Sequence, residues 1–331
     1  PFIADALAMP VHWYYNRTAL FEQYGEVRDY LTPRSPHPDS ILWRSSYQSP
    51  GPMGNILGEQ AVYWGKHGVH YHQFLNAGEN TLNFRLAHLL AGRVISLGRY
   101  DFEDYLEHYV EFMLTPGAHR DTYVEEYHRS FFARFGSGFA ARRCGGRDFH
   151  IGGLVPVGTL GALLDRRDFE VAALEHVGFS HCDPEVMESC RALIKMLCAI
   201  LDGEPLREVI LKFGTRWVGE RKLSEWERQP DTVVVGRHLS PACYIVDAFT
   251  ASLYLAWKYH TDFETAVIVN TNLGGDNCHR GAVVGALVGA AVGEQGIPAR
   301  WIKSLRAEPP GLVNSAGQNP QPIEPLARSI E

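Results

Sequence analysis

The stretch NTNLGGDNCHRGAVVGALVGAAVG, residues 270–293, places polar side chains directly before an apolar helix pattern. Gly274 and Gly275 give the backbone unusual freedom ahead of the polar run. That run comprises Asp276, Asn277, Cys278, His279 and Arg280. Glycine then recurs at every fourth position up to Gly293, a spacing that favours close packing of one helix against another. The stretch therefore predicts a core helix whose N-terminus presents an acid, a thiol and an imidazole.

Length and composition indicate a globular protein. The chain has 331 residues, of which 45% are hydrophobic and 11% aromatic, enough for one large or two ordinary domains. Its net charge of −7 gives no general attraction to nucleic acid or anionic membranes, so we expect neither as a partner. The apolar span 281–293 is shorter than the roughly 20 residues that cross a bilayer. The six cysteines contain no Cys-x-x-Cys pair, and we expect a reducing, cytoplasmic setting.

Helical periodicity dominates the rest of the chain. The leucines between positions 82 and 95 recur at helical spacing. An N-capping residue followed by proline, typical of a helix start, occurs at positions 183–184 and again at 240–241. The best strand candidate, TVVVG at 232–236, is very short. We therefore predict a single all-α domain over residues 1–331.

Three segments interrupt this helical pattern. Residues 31–58 and 115–153 are rich in proline or glycine, but they also contain aromatic residues, which argues against disorder. Long ordered loops in a compact domain are usually functional. Residues 305–331 contain repeated prolines, and we predict an irregular segment on the surface there.

Two further apolar segments carry polar residues at unexpected positions. They are ADALAMPVHWYYN, residues 4–16, with Asp5 and His12, and HYHQFLNAGENTLN, residues 70–83, with His70, His72, Glu79 and Asn80. Helix capping alone explains either Glu79 or Asp276. Both together, each preceded by glycine and followed by asparagine, favour a shared site.

In this order and spacing, the segments resemble the ADP-ribosylglycohydrolase superfamily, which includes dinitrogenase-reductase-activating glycohydrolases and the J1 crystallins. Family members have GDALGMPVE, TDDT and GGDTDT or GGDNDT where this chain has ADALAMPVH, GENT and GGDNCH. The resemblance spans residues 1 to about 300. It implies an all-α fold of orthogonally packed helices, with the motifs meeting in a central cleft.

The departures from the family motifs concern the metal ligands. In the family, TDDT and GGDTDT supply oxygen ligands to two magnesium or manganese ions, which bind an ADP-ribosyl group. At the matching positions this chain has Gly78, Glu79, Asn80, Asp276, Cys278 and His279. Magnesium prefers oxygen ligands and gains little from a thiol or an imidazole. We therefore expect no two-metal centre and no cofactor. The binding of a single Mg²⁺ or Zn²⁺ ion is kept as an alternative.

Three interpretations of the altered site follow. The first is a hydrolase that cleaves an ADP-ribosyl, nucleoside or related ribosyl bond with Glu79 and Asp276, helped by His279 as a proton donor. The second is a thiol enzyme, because a helix N-terminus and cationic neighbours lower the pKa of a thiol such as Cys278. Alternatively, the side chains of Glu79, Asp276, Cys278 and His279 together bind zinc. The third is a non-enzymatic, crystallin-like protein. Polar replacements at positions 79, 80, 278 and 279 favour a working site, because unpaired buried polar groups are costly.

Other residues are candidates for substrate binding. The resemblance assigns this role to Asp5, His12, Asn80 and Asn277 within the three motif segments. The segment RRCGGRDFHIGGLVPVGTLGALL, which contains Asp148 and His150, lies where the family carries GNGALMRIAPLG. That family segment contributes to the ligand pocket, so we expect both residues near the cleft.

Overall fold

The computed structural model describes residues 1–306, and it is helical throughout, with only isolated β-bridges and no strand in that part of the chain. The helices are α1 (Phe2–Ala8), α2 (Arg17–Tyr24), α3 (Leu82–Leu97), α4 (Phe102–Leu114), α5 (Glu126–Gly136), α6 (Val155–Leu163), α7 (Arg166–Ser180), α8 (Pro184–Leu201), α9 (Leu206–Phe213), α10 (Glu220–Glu227), α11 (Asp231–Val233), α12 (Ile245–Lys258), α13 (Phe263–Asn272), α14 (Asn277–Val292) and α15 (Ala299–Ser304). The predicted all-α fold class is confirmed.

Helix α14 lies at the centre of the molecule, and α1, α12 and α13 pack directly against it. Every residue from 277 to 288 is buried. The recurring glycines permit this packing: a Cβ on Gly281 or Gly285 would lie 3.2 Å from the Cβ of Ala4 in α1. The sequence spacing therefore predicted both the burial and the close helix contact.

Helix starts follow the capping pattern in part. The side chain of Asp183 accepts a hydrogen bond from the Glu185 backbone N–H, with Pro184 at the first helical position, as predicted. The predicted start at positions 240–241 is wrong, because α12 begins at Ile245. Ser240 instead accepts a hydrogen bond from the Ala242 backbone N–H in the preceding turn.

Two other sequence predictions need correction. TVVVG does not form a strand: its first residues belong to the single turn α11, and Gly236 then kinks the chain at a φ of 143°. A lone strand would leave its backbone groups without partners, whereas Val234 and Val235 are buried in the core. The stretch 115–153 contains α5 in addition to loops.

The remaining expectations concern the membrane and the C-terminus. No helix among the described residues is long and apolar enough to cross a bilayer. The surface segment predicted at 305–331 lies, apart from its first two residues, outside the described part of the chain.

Candidate functional site

A pocket opens where four distant segments of the chain meet. They contain His12 and Trp13, the start of α3, the loop 121–125, and the first turn of α14. All but the loop belong to the three motif-bearing segments of the sequence. Asp121 and Glu125 come from the irregular stretch 115–153, whose pattern indicated a functional loop but no particular residue.

The glycine pair before α14 fixes the position of Asp276. Gly274 and Gly275 have φ values of 67° and 63°, a conformation that glycine adopts without strain. A Cβ on Gly275 would lie 2.1 Å from the backbone oxygen of Pro241, so no larger residue fits. The backbone N–H of Asp276 donates to the same oxygen at 2.9 Å. The turn is therefore fastened to the segment before α12.

Asp276 does not cap α14, although it occupies the N-cap position. Its carboxylate instead meets two imidazoles: His12 Nε2 lies 2.9 Å and His279 Nδ1 2.8 Å from Oδ1. Burial alone would raise the pKa of Asp276, but the charge of His279 and both hydrogen bonds hold it well below its usual range. Burial would likewise lower the pKa of His279, but the charges of Asp276 and Glu125 raise it to about 10.

His12 connects Asp276 to a second buried carboxylate. His12 Nδ1 lies 2.8 Å from His72 Nε2, and His72 Nδ1 lies 2.6 Å from Asp121 Oδ1. Burial lowers the pKa of His12 to about 3, against the opposing effect of Asp276. The second oxygen of Asp121, Oδ2, is buried and has no hydrogen-bond partner among residues 1–306. The result is a row of four polar side chains along one side of the pocket.

Glu125 is a second carboxylate close to His279. Its Oε1 lies 3.7 Å from His279 Nδ1, and its Oε2 accepts a hydrogen bond of 2.5 Å from the amide of Asn83. The same amide lies 2.9 Å from His279 Nε2. Burial raises the pKa of Glu125, while the charge of His279 opposes that rise. Sequence reasoning missed Glu125 and Asn83, and the only available signal was a polar, aromatic run, TYVEEYHR, inside a glycine-rich stretch.

Trp13 forms one wall of the pocket. Its φ of 61° is rare for a bulky residue and marks local strain, which often accompanies function. Its backbone N–H donates to the Gly275 oxygen at 2.8 Å, which holds the strained conformation. The indole stacks on His12 at 3.8 Å and meets the ring of Tyr123 edge-on at 5.1 Å. Two aromatic rings thus stand beside the carboxylates.

Asp5 lies in a separate cluster beneath the pocket. Its carboxylate accepts hydrogen bonds from the Asn80 amide at 2.8 Å, the Thr81 backbone N–H at 2.9 Å and the Thr81 hydroxyl at 2.8 Å. Burial raises the pKa of Asp5, although these hydrogen bonds oppose the rise. The contacts join α1 to the start of α3. Asp5 and Asn80 therefore contact each other, as the motif order suggested, but neither borders the pocket.

Two predicted catalytic residues are placed elsewhere. Glu79 forms an ion pair with Arg120 and accepts a hydrogen bond from the Asn76 backbone N–H, so its carboxylate turns away from Asp276. The expected lowering of the Cys278 thiol pKa is wrong. The side chain is completely buried among apolar residues, and burial raises its pKa well above the usual value.

The other candidate binding residues divide into two groups. The amide of Asn277 is buried and donates to the backbone oxygens of Val11 and Thr271, which is a structural role. Asp148 and His150 form a partly buried pair, with 2.7 Å between Oδ1 and Nδ1. Burial would lower the pKa of His150, but the hydrogen bond and charge of Asp148 raise it. The adjoining Gly152 lies close to Asn83, which places the pair beside the site.

The residues present do not fit a pair of magnesium ions. Of the matched positions only Asp276 and Glu79 are acids, and Glu79 is held by Arg120. The two Asp276 oxygens face imidazoles, and the thiol of Cys278 lies in an apolar cluster. Magnesium demands near-octahedral oxygen coordination. Within residues 1–306, a set that can hold a metal consists of His12, Asp276 and His279, whose ligand atoms lie within 4.8 Å of one another.

Comparisons with known proteins identify the family of this chain. One curated relative is ADP-ribosylarginine hydrolase Tri1 of Serratia proteamaculans, 27% identical over 140 residues. The match covers 38% of this chain and about a third (34%) of the relative's own length. A solved structure described as an ADP-ribosylglycohydrolase-related protein complex has the same fold, with a TM-score of 0.61, 20% identity, and coverage of 92% of this chain and 88% of the other. The ADP-ribosylglycohydrolase family model matches residues 2–329, and the chain therefore belongs to that family.

Proposed function

We propose that this protein hydrolyses the glycosidic bond of an ADP-ribosyl compound, without a two-magnesium centre. The observation that carries the proposal is a pair of carboxylates that share the imidazole of His279, which borders the pocket. Asp276 and Glu125 both approach Nδ1 of His279, at 2.8 and 3.7 Å. Glycosidic hydrolysis commonly uses two carboxyl groups, one as acid and the other as base or nucleophile. Membership of the family supports the same reaction class.

The two carboxylates have different access to the pocket. The Glu125 side chain is 20% exposed and borders the pocket, whereas Asp276 is completely buried. We assign proton transfer to and from the substrate to Glu125, because that step requires contact with the reacting atoms. Asp276 provides negative charge close to the ribose, where positive charge develops as the bond breaks. His279 lies between them and fixes their relative position.

The pocket walls favour a cationic leaving group. Trp13 and Tyr123 present aromatic rings, and the buried Asp121 Oδ2 offers a hydrogen-bond acceptor that has no partner within the described residues. A guanidinium group binds aromatic faces and carboxylates alike. The name of the curated relative specifies ADP-ribosylarginine. An arginine adduct is therefore the first substrate to test.

The test compares peptides that carry ADP-ribose on arginine or on serine, with release of ADP-ribose followed by chromatography and mass spectrometry. Glu125→Gln and Asp276→Asn keep the shape of the side chain and remove its charge. Each should lower the rate of release from the arginine peptide by about 100-fold or more. Glu79→Gln is the matched control, since Glu79 pairs with Arg120 outside the pocket, and it should stay within about tenfold of wild type.

Two outcomes would contradict the proposal. Normal turnover by Glu125→Gln together with loss of turnover in Glu79→Gln would mean that the acid–base residue is wrongly assigned. Failure of the folded protein to bind or cleave any ADP-ribosyl compound would favour the crystallin-like alternative.

A further inference from the structure

Three buried side chains point their ligand atoms at one position beside the pocket. His12 follows the short turn Met9–Val11, Asp276 precedes α14, and His279 lies in its first turn. The exposed fraction of each side chain is 3% or less. Their ligand atoms lie within 4.8 Å of one another, and the two imidazole nitrogens face the same carboxylate. A metal ion with ligand distances of about 2.0–2.2 Å requires only a small outward shift of these groups.

The second ring nitrogen of each imidazole also has a polar contact. His12 Nδ1 meets His72, and His72 in turn meets Asp121, in a carboxylate–histidine–histidine series. His279 Nε2 faces the amide nitrogen of Asn83 at 2.9 Å and accepts its N–H, which leaves the ring proton on Nδ1. Histidines that bind metals almost always donate the N–H of the second nitrogen to a partner, because this fixes the ring and the tautomer, and His12 Nδ1 donates to His72 in this way. His12 Nε2 thus faces Asp276 as a metal ligand requires, whereas binding through His279 Nδ1 requires its ring proton to leave that nitrogen.

The charges around this position also favour a cation. Asp276 and Asp121 are both completely buried, and among the described residues their ion pairs are formed only with histidines. The nearby guanidinium of Arg280 donates instead to Asn270 and to the backbone oxygen of Gly274. Buried carboxylates in proteins are normally paired with cations or bound to metal ions. One oxygen of Asp121 has no hydrogen-bond partner in the described part of the chain.

We propose that His12, Asp276 and His279 bind a single divalent transition-metal ion, with zinc as the model ion. Two imidazoles and one carboxylate suit zinc, cobalt or nickel better than magnesium. Three protein ligands leave a fourth position, and the pocket bordered by His12 and His279 provides room for it. When bound, such an ion supplies a Lewis acid at the pocket. The site shares Asp276 and His279 with the proposed hydrolysis, but the two proposals are tested separately, because metal binding is measured without a substrate.

The experiment uses the full chain without an affinity tag. The protein is stripped with a chelator and titrated with Zn²⁺, Co²⁺ and Mg²⁺, with metal content measured by mass spectrometry and affinity by calorimetry. We expect about one zinc or cobalt ion per chain and no comparable affinity for magnesium. The cobalt form should show the visible absorption bands of a low-coordinate site with nitrogen ligands.

Variants locate the ion. His12→Gln and Asp276→Asn should each weaken zinc binding by about 100-fold or more, and His72→Gln by about 10- to 100-fold, since it acts through His12. His119→Gln is the control, because His119 is an equally buried histidine that contacts the backbone oxygen of Ile56 instead. Circular dichroism confirms that each variant is folded.

The proposal is overturned if the wild-type protein binds none of these ions at micromolar concentration. It is also overturned if folded His12→Gln and Asp276→Asn bind zinc as tightly as wild type. A failure of ADP-ribosyl hydrolysis alone would leave the metal result unaffected and would count only against the proposed reaction.

Discussion

Asp276 is a carboxylate held inside the protein by two imidazoles that come from opposite ends of the chain. The effective cost of burying an unpaired ion is several kcal/mol, so both partners are needed. The contact between Asp276 and His279 follows from their spacing, three positions apart at a helix start. The contact with His12, 264 positions away, could be expected only from the family resemblance. Periodicity within single helices contains no information about such long-range pairs.

Cys278 illustrates two opposing effects on one thiol. A helix N-terminus favours the thiolate by roughly 1 kcal/mol. Complete burial disfavours the charged form by several pKa units, which is a larger free energy. Burial therefore dominates, and the pKa of Cys278 is raised. From the sequence, the helix start was visible, whereas the apolar cluster formed with Ala8, Met9 and Leu75 was not.

We expect iodoacetamide to modify Cys182, which is exposed, but not Cys278 in the folded protein. The thiolate is the reactive species, and burial suppresses both thiolate formation and access. Peptide mapping by mass spectrometry before and after denaturation measures the difference. Cys278→Ala should also retain any ADP-ribosyl hydrolysis within about tenfold. Rapid labelling of Cys278 in the native state would revive the thiol interpretation.

At the scale of single elements, helix boundaries were predictable where capping chemistry and burial agree. The start of α8 follows its Asp-Pro signal, and α14 follows its glycine pair. The start of α12 was misplaced by four residues, because Ser240 uses the same hydrogen-bonding ability in a turn. Three consecutive valines suggested a strand, but β-branched residues form strands only where a neighbouring strand exists.

The turn before α14 supports a stability prediction. Gly275→Ala should lower the free energy of unfolding by about 2 kcal/mol or more: a left-handed backbone costs roughly 1–2 kcal/mol, and the new Cβ would also clash with Pro241. Gly92→Ala is the control, because Gly92 lies inside α3 with nothing near its Cβ position. Gly92→Ala should raise the free energy of unfolding by up to about 1 kcal/mol. Urea unfolding followed by circular dichroism measures both, and equal effects would exclude the backbone explanation.

At the scale of the whole molecule, the order and packing of the helices bring site residues from distant parts of the chain together. Chain segments near positions 12, 81, 123 and 279 meet at one pocket, where an apolar cluster that includes Phe2, Phe84 and Ala282 joins α1, α3 and α14. The all-α fold and three of these segments were predictable from helical periodicity and motif order. Asp121 and Glu125 were not, because they belong to a loop whose position depends on the helices that flank it. Loops of this kind carry function without any periodic pattern.

The link between α1 and α3 gives the last prediction. Asp5 accepts three hydrogen bonds from Asn80 and Thr81, and this contact fastens the N-terminal helix, which packs against the central α14. Asp5→Ala should lower the free energy of unfolding by about 3 kcal/mol or more, because each donor left unsatisfied costs roughly 1–3 kcal/mol. Asp262→Ala, which removes the N-cap of α13, should lower the free energy of unfolding by only about 1 kcal/mol. Urea unfolding of both variants measures the difference. If Asp5→Ala costs no more than Asp262→Ala while ligand binding is lost, then Asp5 contributes to the substrate site and not to the connection between these helices.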